Sequence, residues 1–174
     1  LIEENRPAYD LIDADYVVVN SLLADFYGIP DVHGDHFSPV PLPADSPRGG
    51  LLGQSAILTL TGTGVRTSPV ERGAFVLRKV LHRPPPPAPA NVPMLDESNL
   101  GNRSIRETLN VHMTMPQCSA CHRKIDPLGF GLENFDPVGL WREAVVSADG
   151  SKRFPVAPSG TMPDGKREFS NVAE

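Results

Sequence analysis

Two cysteines and a histidine stand close together in the run Cys118-Ser119-Ala120-Cys121-His122. The chain has no other cysteine, so no disulfide framework exists. Two thiols at this spacing can add across the two vinyl groups of a haem and form thioether bonds. The histidine directly after the second cysteine then lies under the iron and supplies one axial nitrogen. The spacing therefore predicts one covalently attached haem c, with His122 as an iron ligand.

Two other kinds of site use paired cysteines, and neither suits this sequence. A thioredoxin-like redox pair would need a βαβ setting, and the sequence shows none. A zinc site would need two further ligands at close spacing. His33 and His36 could supply imidazoles, but they lie far away on a predicted loop. We therefore retain the haem hypothesis.

A second protein ligand on the iron would favour electron transfer, whereas an open iron can bind small molecules or react with peroxide. Our first candidate for the sixth ligand is His112, on the apolar face of a predicted helix with Ile105 and Leu109. An imidazole buried there without a partner would cost about 1–3 kcal/mol. A backbone carbonyl or a haem propionate would also satisfy it. The alternative ligands are methionines, namely Met162, Met115, Met113 and Met94.

Further side chains near the motif are candidates for the haem pocket. Apolar residues downstream of the motif should wall the haem, with plain core packing as the alternative, above all for Phe135. They are Phe130, Leu132, Phe135, Leu140 and Trp141. Guanidinium groups suit the haem propionates. The candidates are Arg123, Arg142, Arg66 and Arg72.

Helical signals dominate the predicted elements around the motif. Apolar spacing predicts a helix over 13–28 and a short buried helix over 50–61. Ser68-Pro69 and Ser104 mark two further helix starts, the first running to about His82. Asp126 is expected to cap another short helix. Residues 83–93 read RPPPPAPANVP, an extended polyproline strap. With a few short C-terminal strands and irregular loops, the expected fold is a small, mainly α domain.

The chain also resembles a known family over nearly its whole length. The run CSACHRKIDPLGFGLENFDPVGLWRE (118–143) is similar to the haem-binding signature of the planctomycete cytochrome-type family. Residues 66–95 resemble its helix and proline strap, and 11–30 and 159–174 resemble parts of adjoining domains. The resemblance implies a large secreted multidomain protein of unknown function. Residues 1–44 would end a preceding domain, 45–145 would bind haem, and 146–174 would begin a truncated following domain.

The function expected from these features is electron transfer by a c-type cytochrome module outside the cytoplasm, in the periplasm or an equivalent compartment. Its partner would be a redox protein or a neighbouring domain of the parent chain. Two alternatives stay open: a peroxidase-like haem enzyme with open iron, and an interaction module in which the haem serves to stabilise the fold. Whether the chain is an enzyme is therefore undecided. A net charge of -5 argues against nucleic acid, and no apolar stretch is long enough to span a bilayer.

Overall fold

The fold combines short helices with small antiparallel sheets in a computed structural model that describes residues 5–87, 103–147 and 150–171. The expectation of a mainly α chain was wrong, because the structure has 37% helix and 15% strand and is α+β. The helices are α1 (Ser21–Tyr27), α2 (Ser55–Leu60), α3 (Pro69–Phe75), α4 (Ile105–His112) and α5 (Pro116–Phe130). The strands are β1 (Tyr16–Val19), β2 (Ser38–Pro41), β3 (Ala144–Val146), β4 (Arg153–Pro155), β5 (Gly160–Thr161) and β6 (Glu168–Phe169).

The sheets are three antiparallel pairs, β1–β2, β3–β4 and β5–β6. The last two pairs confirm the short C-terminal strands. The first pair was missed: β1 and β2 lie where a helix over 13–28 and a loop were expected. The β-branched run Val17-Val18-Val19 suits an extended strand better than a helix, and α1 begins only after Asn20. Gly28 ends α1 in the predicted left-handed conformation, with φ of 70°.

The two serine-marked helix starts are confirmed. The Ser68 hydroxyl accepts from the Glu71 amide and Pro69 is the first residue of α3. The helix continues as a π-helical turn over Val76–Val80, close to the predicted end at His82. Ser104 and Glu107 form a complete capping box at the start of α4.

The helix that carries the cysteine motif is longer than expected. Pro116 opens α5 at its first turn, and the helix continues for 15 residues through Asp126 and Pro127. The expectation that Asp126 caps a separate helix was therefore wrong. Asp-Pro often marks the start of a helix, but here Pro127 lies inside a helix that began at Pro116. Asp126 consequently lies four residues after His122 in the same helix.

Helix α5 is fixed against α3 by a very close crossing at two glycines. A Cβ atom placed on Gly73 would lie 1.9 Å from the Ile125 carbonyl oxygen, and one on Gly129 would lie 1.8 Å from the Pro69 carbonyl oxygen. Only glycine permits such an approach of two backbones. The main core surrounds the crossing and comprises Leu58, Ala74, Val76, Leu77, Ile125, Leu128, Leu132 and Phe135.

The part of the proline strap that the structure describes, residues 83–87, forms neither helix nor strand. Residues 88–93 of the strap lie outside the described residues. Within the described ranges, no helix has both the length and the apolar character needed to cross a membrane.

Candidate functional site

The three motif residues share one face of α5. Cys118, Cys121 and His122 stand at positions i, i+3 and i+4, which are neighbours on a helix surface. Both cysteines are free thiols: Cys118 is buried, and Cys121 is half-buried against the main core. Among the described residues no cluster of three or more metal-ligating side chains is present. A zinc site of the four-ligand kind thus gains no support, and the face offers two thiols beside one imidazole.

His122 is oriented by a carboxylate one helical turn further on. Its Nδ1 lies 2.9 Å from Oδ1 of Asp126. Because a carboxylate only accepts hydrogen bonds, Nδ1 must carry the proton and donate it. This hydrogen bond raises the pKa of His122 above its ordinary value, and partial burial opposes the rise. The Nε2 atom is the ring nitrogen that this bond leaves for another partner.

Asp126 is the residue of this candidate site whose contact with His122 the sequence analysis missed. Its side chain is fully buried, and its second oxygen, Oδ2, has no hydrogen-bond partner within residues 5–87, 103–147 and 150–171. The spacing of His122 and Asp126 could have predicted this contact, because side chains four residues apart are neighbours on a continuous helix. Reading Asp126 as a helix start concealed that spacing.

The structure brings His112 to His122. The two ring centroids are 5.0 Å apart and the rings meet edge to face, at 76°. Burial and the neighbouring charge of His122 lower the pKa of His112 below its ordinary value, and Asp126 opposes this. Rings in direct contact leave no room for a porphyrin between them. A haem bound between these two imidazoles would therefore have to separate them.

The candidate methionines lie in different places around α5. Met113 is half-buried at the end of α4, and Met115 is exposed immediately before α5. Met162 follows β5 and packs against the main core. Met94 lies outside the described residues.

The predicted pocket walls divide between the core and the surface. Phe130 is buried, with the Arg106 guanidinium 3.8 Å above its ring centroid. Phe135 is fully buried and Leu132 nearly so, both in the main core. Trp141 is 41% exposed and packs edge to face on Phe135. The exposed part of Trp141 is thus available to a ligand, whereas Leu132 and Phe135 already serve as core.

Two of the candidate propionate partners, Arg72 and Arg142, belong to a buried network within the protein. Arg72 is fully buried and donates to the carbonyls of Leu132 (2.7 Å), Phe135 (2.7 Å) and Asp136 (2.9 Å). Burial lowers the pKa of Arg72 to about 10. Together these bonds clamp residues 132–136 against α3.

Arg142 completes the same buried network around Glu133. It donates to the Glu133 carbonyl (3.0 Å), to the Glu133 carboxylate (3.1 Å) and to the Thr67 hydroxyl (2.9 Å). Arg66 is half-buried and lies directly before Thr67, ahead of α3. Arg123 is exposed on α5, directly after His122. Arg123 is thus the exposed member of the four candidates.

Comparison with known proteins adds one match. The family model described as PSCyt3: Protein of unknown function (DUF1588) matches residues 48–145, more than half of the chain. No curated protein and no solved structure matches the chain. The matched segment contains α2 to α5 and the whole cysteine motif. The chain therefore belongs to this planctomycete cytochrome-type family, as the sequence resemblance indicated.

Proposed function

We propose that this member of the PSCyt3 family is a c-type cytochrome module with one haem attached through Cys118 and Cys121. His122 would supply the axial nitrogen through Nε2. The observation that carries the proposal is the geometry of α5: two free thiols and one imidazole share a face, and the imidazole's other nitrogen is already bonded to Asp126. When bound, the haem iron would take up and release one electron.

The residues present fit such a group. Thiols at positions i and i+3 of a helix lie about one turn apart on the same face, a spacing that suits two thioether bonds to one haem. Ser119 and Ala120, between them, are small, so a porphyrin edge can approach the helix. The crossing with α3 at Gly129 anchors the far end of α5. The face that binds the haem would therefore sit on a fixed element.

We further propose that the module matures outside the cytoplasm, in the periplasm or an equivalent compartment. Thioether attachment needs reduced thiols and dedicated assembly machinery there. The haem unit would be residues 45–145, which agrees closely with the matched segment 48–145. A redox protein or a neighbouring domain of the parent chain would exchange electrons with the haem edge, near the exposed residues Arg123 and Lys124.

His112 is the proposed sixth ligand, because it is the imidazole that the structure brings to His122. To hold the iron together, His112 and His122 would have to leave their present ring contact. The present ring contact favours a second candidate function, a haem enzyme with open iron, in which His112 stays beside His122. Carbon monoxide separates the two: reduced protein with both axial positions filled keeps its visible spectrum, whereas an open iron gives a large shift.

The attachment is tested by expressing the protein in the periplasm with a cytochrome c assembly system. Wild type should retain haem after acid–acetone extraction, and the double variant Cys118→Ala/Cys121→Ala should retain none. Ala120→Ser is the matched control, because it changes an exposed position of the same motif and keeps both thiols. Haem that survives extraction in the double variant, or its loss from folded wild type, would refute the proposed attachment.

A further inference from the structure

We propose that Asp126 is a positioning residue for the haem iron: it fixes the His122 ring with Nε2 toward the metal and, by its charge, favours the oxidised haem. This inference rests on the proposed function. Its basis is geometric. The carboxylate lies one turn after His122 on the same helix, 2.9 Å from Nδ1, and is fully buried.

A purely structural role explains Asp126 poorly. It does not cap a helix, because it lies in the interior of α5. Its Oδ2 atom is buried and has no hydrogen-bond partner among the described residues. Burying a carboxylate with one oxygen unsatisfied costs free energy that an apolar side chain would not. The one bond that the carboxylate does make is directed at the proposed iron ligand.

The chemical effect of this bond follows from its partner. A carboxylate that accepts the Nδ1 proton fixes the tautomer and the rotation of the ring, and it raises the basicity of the opposite nitrogen. A more basic ligand stabilises ferric over ferrous iron, since ferric iron carries the higher charge. Asp126 would therefore hold the haem at a lower reduction potential than a neutral residue in its place.

The low dielectric around the pair strengthens this effect. Asp126 has no exposed surface, so water screens its charge little. Beside the pair lies His112, whose ring meets that of His122 edge to face at 5.0 Å between centroids. Among the described residues, Asp126 forms an ion pair with His122 and with no arginine or lysine, so no cation in direct contact competes for the carboxylate.

The central variant is Asp126→Asn, which keeps the shape and an acceptor for Nδ1 but removes the charge. Covalent haem should remain, and spectroelectrochemical titration should give a more positive midpoint potential than wild type. At a fixed ambient potential the ratio of reduced to oxidised haem should rise roughly 10-fold, at the lower end of effects on metal sites from such outer partners. Asp126→Glu should restore most of the wild-type value.

Two controls make the result specific. Glu143→Gln removes an exposed carboxylate outside α5 and should leave the potential unchanged. In reduced wild type, the Nδ1 proton of His122 should exchange slowly with solvent in proton NMR spectra, a measurement that needs no folded variant. Fast exchange, or an Asp126→Asn protein with covalent haem and wild-type potential, would overturn the role of Asp126. Wild type without covalent haem would instead overturn the proposed function.

Discussion

The glycine crossing between α3 and α5 can be tested by adding a single methyl group. In Gly129→Ala the new Cβ atom would lie 1.8 Å from the Pro69 carbonyl oxygen and 2.5 Å from its carbonyl carbon. Both of these are backbone atoms, so no flexible side chain can swing away. The helices must separate, or the variant must distort its backbone.

The magnitude follows from the distances. Carbon–oxygen contacts are comfortable at about 3.3 Å, so the helices must part by roughly 1.5 Å. A gap of even about 1 Å forfeits up to half of a dispersion contact. Ala74 and Leu77 on one side, and Ile125 and Leu128 on the other, would lose packing. Overpacking of this kind costs about 1–3 kcal/mol or more.

A helix gains about 1 kcal/mol when glycine becomes alanine, and this gain opposes the steric cost. We take about 3 kcal/mol for the overpacking and subtract about 1 kcal/mol for the gain in helix propensity. Gly129→Ala should therefore lower the free energy of unfolding by about 2 kcal/mol. Lys124 supplies the matched control, because it is exposed on the same helix. Comparing Lys124→Ala with Lys124→Gly measures the propensity difference without the crossing.

The assay is urea unfolding followed by far-ultraviolet circular dichroism, with all variants in the same haem state. Lys124→Ala should be more stable than Lys124→Gly by about 1 kcal/mol. The steric cost at the crossing is this gain in helix propensity minus the change in the free energy of unfolding that Gly129→Ala causes. A Gly129→Ala protein as stable as wild type, or more stable, would show that the helices do not approach at Gly129 as the structure has them.

The remaining predictions concern a buried arginine and the proposed sixth ligand. Arg72→Met should lower the free energy of unfolding by about 3–5 kcal/mol, because Glu133 loses a buried partner and three carbonyls lose a donor. In the same urea assay, Arg78→Met at a half-exposed ion pair should cost less than about 1 kcal/mol, and equal costs would contradict the clamp. In His112→Ala the low-spin spectrum of the holoprotein should be lost and reduced protein should bind carbon monoxide; an unchanged spectrum would eliminate His112 and favour Met162.

Local signals in the sequence predicted the ends of several helices well. Ser68, Ser104 and Gly28 each act on backbone atoms within a few residues, so their effect can be read from neighbouring letters. The same locality explains the error at residues 16–19. Their apolar spacing fits a helix, but β1 is stabilised by pairing with β2 about 20 residues away. Pattern alone does not reveal that partner.

The candidate site shows a similar division between local and distant causes. The motif residues were predicted from spacing, and Asp126 could have been found the same way if α5 had been expected to continue through Pro127. By contrast, the sequence analysis proposed Arg72 only as a candidate partner of a haem propionate. Its buried guanidinium is held by carbonyls 60 and 63 residues away, at Leu132 and Phe135. No sequence pattern near Arg72 signals them.

The two ends of α5 have different environments, and this difference connects the fold to the proposed chemistry. From Ile125 onward the helix is largely buried, and Gly129 holds it against α3. Between Gln117 and Lys124, exposed positions alternate with the motif residues. Asp126 stands at the start of the buried half and reaches back to His122 in the accessible half. The orientation of the proposed iron ligand is therefore set from the buried half of the helix.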